Sequence, residues 1–269
     1  MIKYFLIGWL IAFAFWAYSI TWIFHAVNYY GAGNALSGFI TVLLIAYVSI
    51  YFGIFLVAIK FFRDHKYRVL IIPSVFFLLE WFKSWVFSGF PWLNLGILSE
   101  SLWGLLPVVG ASGTSFLIIL IIALLLEKNR VIINRITAGL ILVVLLIGPG
   151  HYQNGGDEKL KITVIQPLTT NIERIINMTN KAESDLVIWP EAVTKFDENV
   201  WELVPEKVVI GGFFRQENTN VYTSAINLKT GHYYDKRNLV PFGEFQPFGS
   251  LLKSINNFFN IPNSSLSRG

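Results

Sequence analysis

Residues 186–191 read LVIWPE, and residues 235–248 read DKRNLVPFGEFQPF. The first is a short apolar run closed by a proline, the pattern of a buried strand. Its end delivers one carboxylate, Glu191, to the rim of a sheet, where loops carry chemistry. The second supplies Lys236 and, eight residues on, a second acid, Glu244. An acid and a lysine at strand ends suit acyl chemistry, the acid as general base and the lysine steadying an oxyanion. Such a pair needs a nucleophile, and the 269 residues contain no cysteine.

Outward from this core the chain divides. It is 54% hydrophobic and 14% charged, with a mean hydropathy of +0.54. A soluble domain carries about 25% charged residues, so membrane spans are expected. The apolar excess lies before residue 148, and Gly148-Pro149-Gly150 is a helix-stopping cluster. We therefore expect a transmembrane helical domain over 1–150 and a globular domain over 151–269.

Five apolar runs fill the first part: Tyr4–Phe24, Leu36–Ile59, Val69–Phe87, Leu105–Leu126 and Val131–Ile147. A span needs about 20 apolar residues, which makes the last one short. The first is long for a signal peptide and is read as a retained span. Lys60, Arg63, Lys66 and Arg68 separate the second and third runs, and Lys128, Arg130 and Arg135 the fourth and fifth. The loops at 25–35 and 88–104 carry neither Lys nor Arg. The positive-inside rule then puts the basic loops and the N-terminus in the cytoplasm. Five spans send the globular part to the extracytoplasmic side. A net charge of +4, with the basic residues of this half mostly in short loops, fits membrane topology better than a nucleic-acid footprint, so no nucleic-acid partner is expected.

Trp9, Trp16, Tyr18, Trp22, Tyr29, Tyr30, Trp81, Trp85, Trp92 and Trp103 crowd the ends of the runs. They read as an interfacial belt or as a groove for lipid chains. Glu80 and Lys83, at i, i+3 on one helix face, read as a structural pair or a headgroup contact. Gly89-Phe90-Pro91-Trp92 ends the third run in a turn or a loop that dips into the interface. His25, His65, His151 and His232 lack metal spacing, and Gly211-Gly212 lacks the context of a phosphate loop. Beyond Gly150 short strands are expected at 160–166, 186–189, 208–214, 221–228 and 232–236. A helix is expected over 171–181, capped by Asn171. Strand-helix-strand order argues for an α/β sheet with helices on its faces and the active groups at strand ends.

At these residues the chain resembles the carbon–nitrogen hydrolase (nitrilase) superfamily and, within it, the bacterial apolipoprotein N-acyltransferase family. The resemblance rests on IWPEA at 188–192, KRNLVPFGEFQPFG at 236–249 and IPNSSLSRG at 261–269. In the membrane half it rests on Gly89-Phe90-Pro91-Trp92 with Glu80 and Trp81. It implies a nitrilase-like α-β-β-α sandwich behind the membrane domain, without a cofactor. It implies transfer of an acyl chain from a membrane phospholipid, through a cysteine thioester, to the N-terminal amine of a diacylated apolipoprotein. Glu191 would be the general base, Lys236 the oxyanion stabiliser, and Glu244 a second acid that holds or tunes the lysine. The setting implied is a monomer in the bacterial plasma membrane, with the α/β domain on the periplasmic side.

The chain departs from the family pattern in three places. It has no cysteine nucleophile, its membrane half is shorter at the start, and the loop after Pro167 lacks a tryptophan. The resemblance thus leads us to expect part of a longer chain, incomplete at the C-terminus of its α/β domain. As they stand, the 269 residues are not expected to turn over. Two other readings stay open, a membrane-tethered nitrilase-like amidase and a non-catalytic membrane scaffold. Only the enzyme readings require Glu191, Lys236 and Glu244 to converge.

Overall fold

The computed structural model describes residues 1–29, 33–151, 160–167, 171–191, 193–196, 200, 202, 204, 207–240, 244–245 and 266–269. Tyr30 of the aromatic set, Ala192, Pro241-Phe242-Gly243, Gln246 to Gly249 and the IPNSS segment at 261–265 lie outside the described residues. The chain forms two compact units. One holds the described residues up to His151, the other those from Leu160 onward.

The first unit is helical: α1 (Ile2–Ser19), α2 (Trp22–Val27), α3 (Gly33–Phe62), α4 (Arg68–Lys83), α5 (Leu106–Leu126) and α6 (Val131–Ile147). Among the described residues, three stretches are long and apolar enough to cross a membrane: Ile2–Ser19, Gly33–Phe62 and Glu100–Leu126. The other two expected spans are helices of 16 and 17 residues. At 1.5 Å per residue they reach roughly 24–26 Å, short of a core of about 30 Å. Three apolar runs are interrupted. The first breaks between α1 and α2, where the Ser19 hydroxyl bonds back to the Phe15 carbonyl and β-branched Ile20 and Thr21 follow. The third stops at Lys83, and Phe87 and Gly89 then turn the chain at φ of 54° and 80°. In α5, Gly110 at φ 68° kinks the helix. Apolar character reports burial in lipid or core, and it is blind to these backbone breaks.

α1 lies against α3 at two glycines. A Cβ at Gly8 would stand 2.8 Å from Leu56 Cδ1, and one at Gly53 would stand 2.8 Å from the Phe5 ring. Without an apolar driving force in lipid, such close backbone approach is what holds helices together. Glu80 and Lys83 are each 6% exposed, and their bonds run to the 92–95 loop rather than to each other. Glu80 Oε1 accepts from the Leu95 amide at 2.9 Å. Lys83 Nζ donates to the Trp92 carbonyl at 3.3 Å and sits 5.2 Å from the Trp16 ring centre.

At the other end of α4, Arg68 forks onto Glu127 just past α5, with both N···O distances 2.8 Å. The Arg68 bond and the Asn129 amide hold the Glu127 carboxyl down to about 2. Because the folded value lies below the ordinary one, the fork stabilises the unit above the ordinary carboxylate range. That contribution fades as the pH falls toward 2. The detergent-solubilised protein is expected to lose melting temperature between pH 5 and pH 2.5. Glu127→Gln removes part of that loss; an identical acid profile in the variant would rule the fork out as its source.

The second unit is a mixed sheet: β1 (Ile162–Val164), β2 (Leu186–Ile188), β3 (Thr194–Lys195), β4 (Val208–Glu217), β5 (Asn220–Asn227) and β6 (Tyr233–Asp235). The order is β1-β2-β4-β5-β6, with β3 also on β4. α7 (Ile172–Asn180) connects β1 to β2, and its cap Asn171 accepts from the Arg174 amide at 3.2 Å. β1, β2 and β4 are parallel, whereas β4, β5 and β6 form an antiparallel meander. Val187, Val209, Phe213 and Ile226 point to one face and bury Ile175 of α7. The helix-on-sheet expectation thus describes the first half of the unit. In the second half, short turns at Asn218 and Gly231, both at positive φ, favour hairpins over crossovers.

Candidate active site

β2 ends at Ile188, and the two residues after it are fixed. Trp189 is 3% exposed, packs in the core, and donates from Nε1 to Thr179 Oγ1 of α7 at 2.8 Å. Pro190 accepts from the Gly212 amide at 3.2 Å, and the Gly212 carbonyl accepts from Val193 at 3.0 Å. This clasp on β4 leaves Glu191 at the tip of the turn, with its side chain 62% exposed.

Lys236 follows β6 directly. Its amide donates to the Thr223 carbonyl of β5 at 2.9 Å, and its carbonyl accepts from Gly269 at 3.2 Å. Three residues on, Leu239 is buried and pins the loop. Glu244 closes a small ring on that loop. Its amide donates to the Val240 carbonyl at 2.9 Å, and its Oε2 accepts from the Val240 amide at 2.7 Å.

The three expected side chains meet at one ammonium. Lys236 Nζ is 2.9 Å from Glu191 Oε1 and 2.7 Å from Glu244 Oε1. Burial works against the charge on Lys236, but the two carboxylates more than offset it and hold the ammonium above the ordinary lysine value. Lys236 is therefore a fixed cation through the neutral range and no base there. Glu244 is the less exposed acid, at 19%, with both oxygens engaged. Glu191 keeps one oxygen outside the ion pair on an open rim, the position a proton acceptor needs.

One group that the sequence reading missed adjoins this cluster. Arg215 of β4 reaches over β5 to Asp235 of β6, the residue before Lys236. Its Nε and Nη2 lie 3.1 and 2.6 Å from the two Asp235 oxygens. The pairing of a mid-strand arginine with an acid two strands away depends on register, which spacing along the chain does not reveal. Among the described residues no group of three or more His, Asp or Glu side chains is placed to hold a metal.

The model of the apolipoprotein N-acyltransferase N-terminal domain matches residues 2–124. Curated proteins named apolipoprotein N-acyltransferase match nearly the whole chain. The chain is similar to the apolipoprotein N-acyltransferases. That of Haemophilus influenzae is 24% identical over 96% of the chain, and that of Methylococcus capsulatus 27% over 98%. The apolipoprotein N-acyltransferase of Wigglesworthia glossinidia brevipalpis is 28% identical over 93%. The chain spans 59%, 60% and 58% of the length of these three relatives. The family model ends well before Glu191, so for the site the similarity rests on the longer matches to the named relatives.

Proposed function

We propose that Glu191, Lys236 and Glu244 are the acid–base and charge-stabilising part of an acyl-transfer centre. In this reading it moves an acyl chain from a membrane phospholipid to the N-terminal amine of a lipidated apolipoprotein. The observation that carries it is the Lys236 ammonium fixed between two carboxylates in a chain whose relatives bear that name. Helices apolar enough to cross a membrane, in the same chain, suit an acyl donor that resides in the bilayer. With α4 and α6 also crossing the membrane, the basic residues at 60–68 and 128–135 share one side and favour an extracytoplasmic α/β domain.

The chemistry follows from the groups. A thiol attacks the ester carbonyl of the phospholipid as Glu191 takes its proton. The carbonyl oxygen becomes an oxyanion beside the Lys236 ammonium, and collapse breaks the C–O bond. The departing alkoxide takes the proton back from Glu191, leaving a lysophospholipid and a thioester. In the second half the amine attacks the thioester, Glu191 accepts the amine proton, and the thiolate leaves and is reprotonated. Glu244 holds the lysine without exchanging protons. The 269 residues contain no cysteine, so this thiol comes from outside them.

The test expresses the protein from its complete reading frame and supplies membranes with labelled phospholipid and a diacylated lipopeptide. The expected product is the lipopeptide heavier by one acyl chain, formed through a hydroxylamine-sensitive acyl-enzyme. Absence of transfer, or transfer untouched by Glu191→Gln, overturns the reading.

A further inference from the structure

The strand that presents Lys236 is short, and one side chain outside the proposed centre holds it. β6 has three residues, paired with Ser224, Ala225 and Ile226 of β5, and is the outermost strand among the described residues; so short a strand frays unless side chains tie it down. Arg215 supplies the tie. It starts on β4 opposite Tyr222, crosses β5, and forks onto Asp235. Its third nitrogen is 2.9 Å from Glu217 Oε2. The guanidinium carbon lies 4.8 Å from the Tyr222 ring centre and 4.1 Å from that of Tyr233, so aromatic rings of both β5 and β6 flank it. The Ser224 hydroxyl donates to the same Asp235 carboxylate. Arg215 and Asp235 are 12% and 13% exposed. Burial pushes the Asp235 carboxyl up, but the Arg215 fork and Ser224 outweigh it and leave the group below its ordinary value. A planar five-donor fork is required here: a lysine would meet one oxygen and lose the stacking.

Alternation along β6 turns Asp235 and Lys236 to opposite faces of the sheet. Arg215 therefore does not touch the Lys236 ammonium. What it fixes is the backbone from which Lys236 extends. The ammonium spans acids from two separate segments, the turn after β2 and the loop after β6, so a small slip of β6 breaks one or both bonds.

We propose that Arg215 is a positioning residue: its fork to Asp235 sets β6 in register on β5 and so places Lys236 between Glu191 and Glu244. The role in acyl transfer rests on the function proposed above, whereas the placement itself is measured without turnover.

The measurement is residue-resolved acylation of lysines in the folded, detergent-solubilised full chain, followed from pH 7 to pH 9.5 by mass spectrometry. The rate tracks the free-amine fraction, so an ammonium held by two carboxylates reacts slowly. Lys207 is the internal reference. Its ammonium is held by the Ala182 and Ser184 carbonyls at 3.0 and 3.1 Å, away from β6. In Arg215→Gln the Lys236 rate is expected to rise at least threefold, with Lys207 unchanged. Arg215→Lys is expected to raise it as well, because the fork is lost though the charge remains. An unchanged Lys236 rate, or a parallel rise at Lys207 that marks general loosening, overturns the proposal. Glu244→Gln serves as the second arm. It should raise the Lys236 rate whatever Arg215 does, and if it does not, the ion bridge behind the proposed function fails rather than the positioning role.

Discussion

Lys236→Met, expressed from the complete reading frame, is expected to lower kcat/KM for lipopeptide acylation by about 10²–10³, the usual cost of removing one oxyanion donor. Its effect on folding should be small. Lys236 is 30% exposed and Glu191 62%, and pairs this open to solvent are worth about 0–1 kcal/mol. The separation is the informative part: a rate loss of several kcal/mol beside a melting temperature shifted by a few degrees marks a group that serves the reaction. Glu191→Gln should behave alike, with a loss of about 10²–10⁴ for a general base, and the double variant should lose less than the product of the two, since one needs the other in place. A Lys236→Met protein that acylates normally would remove the oxyanion role. One that is inactive because it no longer folds would show that the cation is needed to hold the two acids together. Lys236→Gln, which keeps a donor without the charge, separates these cases. If it folds as the wild type does and is still slow by 10² or so, the fixed charge is what the reaction uses.

How much of this was legible in the sequence follows from the range over which each signal acts. The Glu191 turn is local: a buried strand, a tryptophan that must be covered, and a proline that ends the pairing place the carboxylate at the rim within six residues. Lys236 and Glu244 are likewise eight residues apart on one segment, and the Val240–Glu244 ring needs only four. The meeting of Glu191 with Lys236 spans 45 residues, and no periodicity supplies it; the motif spacing of a known family did. The antiparallel pairing of β4 with β5 escaped the reading because alternation shows which face is buried and not which strand pairs with which. The same limit hid the Arg215–Asp235 fork. In the helical unit, hydropathy located the five apolar runs but not the Gly110 kink or the break at Ser19–Thr21. Nor did it show that Glu80 and Lys83 would turn to the 92–95 loop, since side-chain choice between two partners within reach is decided by packing.

The largest stability effect is expected at Trp189. It is 3% exposed within the cluster of Ile165, Ile175, Val187, Val209 and Phe213, with the Phe213 ring centre 5.9 Å away. Truncating a buried tryptophan to alanine costs about 3–5 kcal/mol in lost transfer energy and residual cavity. The broken indole bond adds little, because Thr179 Oγ1 still donates to the Ile175 carbonyl at 2.9 Å. Trp189→Phe keeps most of the volume and should cost about 1–2 kcal/mol, chiefly for the part of the ring it removes. Against the 5–15 kcal/mol that a domain commonly holds, Trp189→Ala takes a large share. It acts on function as well, since Glu191 stands two residues further along the clasp that Trp189 anchors. Hydrogen exchange of the α7 and β2 amides reads the effect within the α/β unit, without requiring the helical unit to unfold reversibly. Trp189→Ala should speed the slowest of these amides by about 10² to a few times 10³, the free-energy loss converted at 1.4 kcal/mol per tenfold. Less than a tenfold change would mean that the ring does not hold α7 to the sheet. Glu191 would then owe its place to the Pro190 and Val193 bonds with Gly212 alone, and the activity of Trp189→Ala would stay near that of the wild type.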